Sequence, residues 1–255
     1  MRVLTTFFAI ALFVSSCKEE KNYGAPVVKP EAILKSLMNY LAYNERYVQL
    51  WDEFTPLDEG EKVISKETFL QKLNTGEYLP LRLSTNDSTI YYQLYKIPAT
   101  ADQGILSSVK SYAQIDLEFF QMEGKHLPAF NFTDLNGHVY NKESIMGKTL
   151  VLKCWFINCV PCVKEMPELN QLVKQYSKRN DLLFVSLAFD SPEKLKTFLS
   201  KTKFDYAVVG NQEDYLLNQL KISGYPTHLV VNDQGKILKV VNNYKELEAV
   251  LKKFS

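Results

Sequence analysis

A chain of 255 residues can hold one large domain or two small ones, and its 46% hydrophobic and 23% charged residues are typical of a globular protein with a sizeable core. Without the first 17 residues, whose only charge is Arg2, basic and acidic residues are equal in number. This balance argues against a nucleic-acid binder, which normally carries a basic excess.

The amino-terminal segment predicts export. An apolar run, Val3 to Val14, precedes Ser15-Ser16-Cys17; it is too short to span a bilayer comfortably and fits a secretory signal. Residues 14–17 resemble the lipobox of bacterial lipoproteins, a motif at which the signal is removed and the new amino-terminal cysteine is acylated. The resemblance implies that residues 1–17 contain the signal peptide and that Cys17 is the acylated cysteine. We therefore expect a lipid on Cys17 and a membrane-anchored protein of the cell envelope, facing the periplasm or lying at the outer-membrane surface. A plain signal peptide cut elsewhere, or an anchoring helix, is the alternative.

Residues 18–29 are predicted to be a linker, because Gly24 and Pro26 lie in a stretch without periodicity. Lys18-Glu19-Glu20 resembles the basic-acidic-acidic signal that sends some lipoproteins to the outer cell surface. A solvated tether would have the same composition.

Residues 30–125 predict a small α+β domain. Its expected elements are a helix opened by Pro30 through Leu41, a helix capped by Ser65, strands at 79–84 and 89–97 around Asn86-Asp87-Ser88, and a helix at 105–122. No repeat, metal spacing or catalytic cluster occurs in it. We expect it to shape or partner the second domain; ligand binding is an alternative that no residue in it supports.

Residues 126–255 predict an α/β layer fold. The expected strands are 130–134, 138–140, 149–156, 182–189, 227–232 and 236–241, and the expected helices are 163–176, 192–199, 214–220 and 244–254. Strands that alternate with helices favour a central sheet flanked by helices.

The sequence Cys159-Val160-Pro161-Cys162 lies where a buried strand passes into a helix. Free N–H groups and the dipole at a helix start stabilise a thiolate, which is the attacking species. We expect Cys159 to attack a partner disulfide and Cys162 to resolve the mixed disulfide, so that the two form the redox disulfide.

Other readings of the cysteines are weaker. No second Cys or His pair completes a zinc site, and position 163 is Val rather than the His of haem attachment, so no metal is expected. A static structural disulfide is the alternative to a redox pair. Cys154, inside the apolar strand, is interpreted as a small core residue, with a third redox partner as the alternative.

Several motifs together resemble the thioredoxin-like proteins of the TlpA/ResA type. They are Trp155, the Cys159–Cys162 motif, Glu165-Met166-Pro167-Glu168-Leu169, Gly224-Tyr225-Pro226-Thr227, and upstream Pro128-Ala129-Phe130 and Asp134-Leu135-Asn136-Gly137. The resemblance covers 126–255 and implies a thioredoxin-like fold, a central mixed sheet flanked by helices, here preceded by the small α+β domain. It also implies a reducing role towards exported proteins or cytochrome maturation factors.

The resemblance assigns further residues to the site. Pro226 matches the cis-proline that faces the cysteine pair, which would let the Tyr225 to Thr227 segment bind an extended substrate chain. An ordinary turn is the alternative. Glu165 matches an acidic residue that such proteins keep beside the site, where it would tune a thiol pKa or relay a proton. Its alternative role is favourable electrostatics at a helix start.

Two positions depart from the family pattern. Asn158 stands where an aromatic Trp usually precedes the first cysteine, and Lys153 occupies the place of a buried acid in thioredoxins. A buried Lys153 would favour a nearby thiolate or pair with Glu165. The alternative is that Lys153 extends to the surface.

The sequence therefore predicts a membrane-tethered thiol-disulfide oxidoreductase without a cofactor. Because no nucleotide-binding Gly-rich loop is present, its electrons are expected from a membrane or periplasmic redox protein, and its substrates are disulfide-containing exported proteins. A peroxiredoxin-like peroxidase is one alternative, although Phe156 stands where its threonine is needed. A non-catalytic surface lipoprotein that binds a peptide or glycan is another.

Overall fold

The computed structural model describes residues 23–86 and 88–253. The predicted signal segment, the predicted lipid-attachment residue Cys17, the motif Lys18-Glu19-Glu20, and Asp87 of the predicted turn therefore lie outside the described residues. Within the described ranges, no helix is both long and apolar enough to cross a membrane.

The amino-terminal part forms a four-stranded sheet covered by helices. Its elements are β1 (Ala25–Pro26), α1 (Pro30–Ile33), α2 (Leu37–Tyr47), β2 (Thr55–Leu57), α3 (Lys66–Asn74), β3 (Tyr78–Ser84), β4 (Tyr91–Lys96) and α4 (Gln103–Met122). The strand order is β1-β3-β4-β2, with β2 parallel to β4 and the other pairs antiparallel. The predicted Ser65 cap of α3 is present, since its side chain accepts from the Thr68 N–H.

The carboxyl-terminal part forms a five-stranded mixed sheet between helices, and its first two strands form a separate two-stranded antiparallel sheet. Its elements are β5 (Asn131–Thr133), β6 (Val139–Asn141), β7 (Thr149–Trp155), α5 (Val160–Lys164), α6 (Met166–Gln175), β8 (Leu182–Ala188), α7 (Pro192–Leu199), β9 (Ala207–Val209), a π-helix (Tyr215–Gln219), β10 (Thr227–Val231), β11 (Ile237–Val241) and α8 (Tyr244–Lys253). The strand order is β11-β10-β7-β8-β9, in which β7, β8 and β9 are parallel and β10 is antiparallel to both neighbours. The predicted α/β architecture with a central mixed sheet is confirmed.

Three predicted helices differ in the structure. The one opened by Pro30 is two helices, because Ser36 interrupts it and caps α2 by accepting from the Asn39 N–H. The helix after the cysteine motif is interrupted at Glu165, two residues before Pro167, which lacks a backbone N–H. The helix predicted at 214–220 is the π-helix.

The core links the two parts of the chain. Phe119 of α4 is buried in the same apolar cluster as residues of the five-stranded sheet, and Ile115 and Met122 pack against that cluster. The boundary that the sequence predicts between residues 125 and 126 stays a prediction, because α4 contributes to both sides of it.

Candidate redox site

The two cysteines of the motif are joined at the end of β7. Cys159 and Cys162 form a disulfide with 5.3 Å between their Cα atoms, and Cys159 is the residue immediately before α5. The Cys162 N–H donates to Cys159 Sγ over 3.3 Å. Cys159 is 5% exposed and Cys162 is 0% exposed, so a partner from outside reaches Cys159 first. An N–H that points at this sulfur would also stabilise a thiolate there.

The backbone just before Cys159 is hydrogen-bonded to a side chain that follows the neighbouring strand β8. Asp190, which follows β8, accepts the Ile157 N–H at Oδ2 over 2.8 Å. The Cys159 N–H in turn donates to the Phe156 carbonyl over 3.1 Å. Asn158 is exposed between these two bonds, so the family's usual tryptophan is replaced by a polar side chain in solvent.

An aromatic cluster joins the cysteine motif to the loop that precedes β10. The rings of Phe156 and Phe189 stack with centroids 5.2 Å apart. Tyr225 meets both rings edge-on, at 5.7 and 5.1 Å. Tyr225 also packs in the apolar cluster that contains Cys159 and Cys162, so the structure brings this predicted site residue to the disulfide.

The peptide bond between Tyr225 and Pro226 is cis, as the resemblance predicts. Thr227 begins β10, lies opposite Cys154 of β7, and donates its hydroxyl to the Gly224 carbonyl over 2.7 Å. The strand pairing and the hydroxyl bond hold Thr227 and Gly224, which lie on the two sides of the Tyr225–Pro226 bond.

Glu165 lies between α5 and α6, three residues after Cys162, and its buried carboxylate is surrounded by donors. Its Oε1 accepts from Lys153 Nζ and lies 2.9 Å from His228 Nε2. Its Oε2 accepts from the Tyr244 N–H over 3.0 Å. The predicted Lys153–Glu165 pair is therefore confirmed. Lys153 is 0% exposed, so the alternative in which it extends to the surface is wrong.

Burial and charge oppose each other in this network. Burial alone would raise the pKa of Glu165, but the hydrogen bond from His228 and the charge of Lys153 together lower it. Burial lowers the pKa of Lys153, and Glu165 offsets part of that effect. Burial also lowers the pKa of His228, so its imidazole is neutral and its Nε2 donates to Glu165. The side chain of Glu165 makes no capping bond to α6, so Lys153, His228 and the first N–H of α8 hold it, rather than the start of its own helix.

His228 is the member of this network that the sequence prediction missed. It is completely buried and lies directly opposite Lys153 in the β7–β10 pairing. In the sequence, His228 is a polar residue inside an apolar strand, as Lys153 is, and this feature could have identified it.

Cys154 lies apart from the exchange chemistry. Its side chain is free, 0% exposed and part of the apolar cluster beneath the sheet. Burial strongly raises the pKa of its thiol, which keeps it protonated. The interpretation of Cys154 as a core residue is confirmed. In the described ranges, no cluster of three His, Cys, Asp or Glu residues is arranged to hold a metal.

The half of the chain that contains this site is similar to known proteins. Residues 124–240 match the family described as the AhpC/TSA family. Thiol-disulfide oxidoreductase ResA of Bacillus thuringiensis (strain Al Hakam) is 26% identical over 135 residues, which are 52% of this chain and 78% of that protein. ResA of Geobacillus kaustophilus (strain HTA426) is 27% identical over 119 residues, which are 46% of this chain and 68% of that protein.

A solved structure is similar over the same half of the chain. The thioredoxin domain of a thiol-disulfide oxidoreductase from Bacteroides vulgatus is 25% identical and covers 52% of this chain and 96% of its own, with a TM-score of 0.47. Residues 124–240 are thus similar to the AhpC/TSA family and to the thiol-disulfide oxidoreductases named ResA, and this similarity supports an oxidoreductase activity for the site.

Proposed function

We propose that this enzyme reduces disulfides of exported proteins while tethered to a membrane through a lipid on Cys17. The observation that carries the reaction is the asymmetric pair at the start of α5: Cys159, which keeps 5% of its surface exposed, is bonded to Cys162, which is completely buried. The tether and the extracytoplasmic location follow from the signal-like first 17 residues and the lipobox resemblance.

The exchange proceeds in two balanced steps. The Cys159 thiolate attacks one sulfur of the substrate disulfide, forming a mixed disulfide and releasing one substrate thiolate, which takes a proton from solvent. The Cys162 thiol then loses its proton and attacks Cys159 Sγ, which closes the Cys159–Cys162 bond and releases the second substrate thiolate. Two electrons pass to the substrate, and a membrane or periplasmic redox protein returns them.

The neighbouring residues have supporting roles in this proposal. The backbone of Tyr225, beside Pro226 and Thr227, receives an extended substrate segment by β-type pairing. Glu165 takes part in proton movement at Cys162, one helical turn away, and Lys153 balances its charge.

Insulin reduction tests the reaction directly. We expect the reduced wild type to cleave the insulin disulfides and Cys159→Ser to be inactive. Consumption of peroxide without insulin reduction would instead support a peroxidase, and activity in neither assay would support a binding lipoprotein.

The direction of electron flow is tested by equilibrating the Cys159/Cys162 pair with glutathione. A potential near that of thioredoxin, about −270 mV, supports the reductase, whereas one near −120 mV, roughly that of a strong oxidant, overturns it. Mass analysis of the mature amino terminus, with Cys17→Ser as the control, tests the lipid.

A further inference from the structure

Helix α4 of the amino-terminal part reaches the loop that carries Tyr225 and Pro226. The Ser223 hydroxyl donates to Glu118 Oε2 of α4. Ile115 of the same helix lies against Gly224: its Cδ1 is 3.6 Å from where a Cβ on residue 224 would be. The two residues immediately before Tyr225 are therefore both in contact with α4.

The inner side of this loop is packed on the same helix. Leu220 and Ile222 are buried in one apolar cluster with Phe119 of α4, and Ile115 and Tyr225 pack against that cluster. Inside the loop, the Ile222 N–H donates to the Leu216 carbonyl over 2.9 Å. The position of the loop thus depends on contacts from a helix that lies far upstream in the chain.

Other contacts join the two parts away from the loop. Glu123, just after α4, pairs with Lys239 of β11 over 3.0 Å, and Lys253 of α8 pairs with Asp52. These ion pairs can hold the parts together without Ile115 and Glu118. The contacts at residues 223 and 224 therefore have a separate consequence, which is the placement of the Tyr225 backbone.

We propose that α4 is a positioning element for protein substrates, in which Ile115 and Glu118 hold Ser223 and Gly224 so that the Tyr225 backbone can pair with an extended substrate chain. This inference rests on the proposed reductase function. It gives the amino-terminal part a role in recognition, since a protein substrate uses that backbone pairing and a small disulfide needs only the sulfur of Cys159.

The test compares a protein disulfide with a small one. In Ile115→Ala/Glu118→Ala we expect kcat/KM for insulin to fall about tenfold through a higher KM, while the rate with 2-hydroxyethyl disulfide, which has no peptide group, stays within about twofold. Hydrogen exchange at the Gly224, Tyr225 and Thr227 amides should accelerate by a similar factor.

Three further variants control for folding. Ser223→Ala removes the Ser223–Glu118 hydrogen bond from the exposed loop side and should raise the KM for insulin, as the double variant does. Glu118→Gln keeps an acceptor oxygen for Ser223, so its KM for insulin should stay close to that of the wild type. Glu123→Ala breaks the ion pair to Lys239 and should leave both substrates and the loop amides unchanged.

Equal loss with both substrates, or unchanged amide exchange in the double variant and in Ser223→Ala, would overturn the positioning role. A wild type that does not reduce insulin would overturn the proposed function, and the amide exchange would still decide whether α4 positions the loop.

Discussion

Lys153 and His228 lie directly opposite each other on β7 and β10, and both side chains reach the same oxygen of Glu165. Because Glu165 lies three residues after Cys162 and His228 two residues after Pro226, the carboxylate connects the two segments that flank the disulfide. The network holds one buried cation and one buried anion beside a neutral histidine, so removing either Lys153 or Glu165 changes the charge that the site must bury.

Lys153→Met should lower the free energy of unfolding at pH 7 by about 3–5 kcal/mol, because it leaves the Glu165 carboxylate buried without its cation. Lys153→Met/Glu165→Gln removes both charges and should recover most of that loss. Urea denaturation of the three proteins measures this. A double variant as unstable as the single one would show that packing of the lysine stem, rather than charge, causes the effect.

The same Lys153→Met variant should slow alkylation of Cys159 by iodoacetamide in the reduced protein at pH 7, by about tenfold if the buried cation favours the thiolate by one pKa unit. Lys164→Met, an exposed lysine of α5, is the matched control and should leave the rate unchanged. Equal alkylation rates in all three proteins would remove Lys153 from any electrostatic role in exchange.

His228 should make the protein less stable in mild acid. Because burial lowers its pKa below the ordinary value of about 6.5, the unfolded chain binds up to one more proton between that pH and the lower pKa of the folded state. The free energy of unfolding then falls by up to about 1.4 kcal/mol per pH unit as pH drops further. His228→Gln keeps a donor and cannot titrate, so this contribution should disappear.

Urea denaturation between pH 5 and pH 7.5 (roughly the range in which histidine titrates) gives the difference between wild type and His228→Gln. Asp116, whose pKa burial raises to about 7, contributes the opposite slope in both proteins and cancels in that difference. His126→Gln, at an exposed histidine, should retain the wild-type profile. Parallel profiles for wild type and His228→Gln would mean that the buried imidazole does not change its protonation on unfolding.

Local patterns predicted the parts of this site that depend on neighbouring residues. The apolar run of β7 and the spacing of Cys159 and Cys162 each occupy a short window of sequence, where turn residues and periodicity determine the structure. The cis bond before Pro226 was predicted only from the resemblance to the TlpA/ResA type, because the local sequence fits an ordinary turn equally well. The burial of Lys153 against Glu165 followed from a charge inside an apolar strand.

The features that the sequence did not predict depend on strand register and on long-range packing. His228 faces Lys153 only because Thr227 pairs with Cys154, and a shift by one residue would turn His228 to the other face of the sheet. No periodicity within either strand specifies that register. The contact of Ile115 with Gly224 is similar, since the pattern of α4 shows an apolar face without showing what it covers. The short strands β1, β2 and β9 were missed because two or three residues carry no detectable alternation.

The three described cysteines should differ sharply in labelling. In the reduced native protein, iodoacetamide should modify Cys159, whereas Cys154 and Cys162 are 0% exposed and should react only after denaturation. Cys154→Ala should keep insulin reduction and lose about 1 kcal/mol of stability, as expected for a small buried side chain. Mass spectrometry of labelled peptides gives the order. Native labelling of Cys154, or loss of exchange in Cys154→Ala, would restore it as a third redox partner.

Asp190 should affect exchange through Ile157 rather than by contact with a sulfur. Asp190→Ala leaves the Ile157 N–H without its acceptor and loosens the turn that places Cys159, so we expect insulin reduction to slow by about five- to tenfold and stability to fall by about 1–3 kcal/mol. Asp190→Asn keeps an acceptor oxygen and should lie between Asp190→Ala and wild type. Asp205→Ala, which breaks only the exposed pair with Lys203, is the control for loss of one acid. If Asp190→Ala slows exchange no more than Asp205→Ala does, the bond to Ile157 does not position the nucleophile, and the Cys162 N–H alone must hold Cys159 Sγ in place.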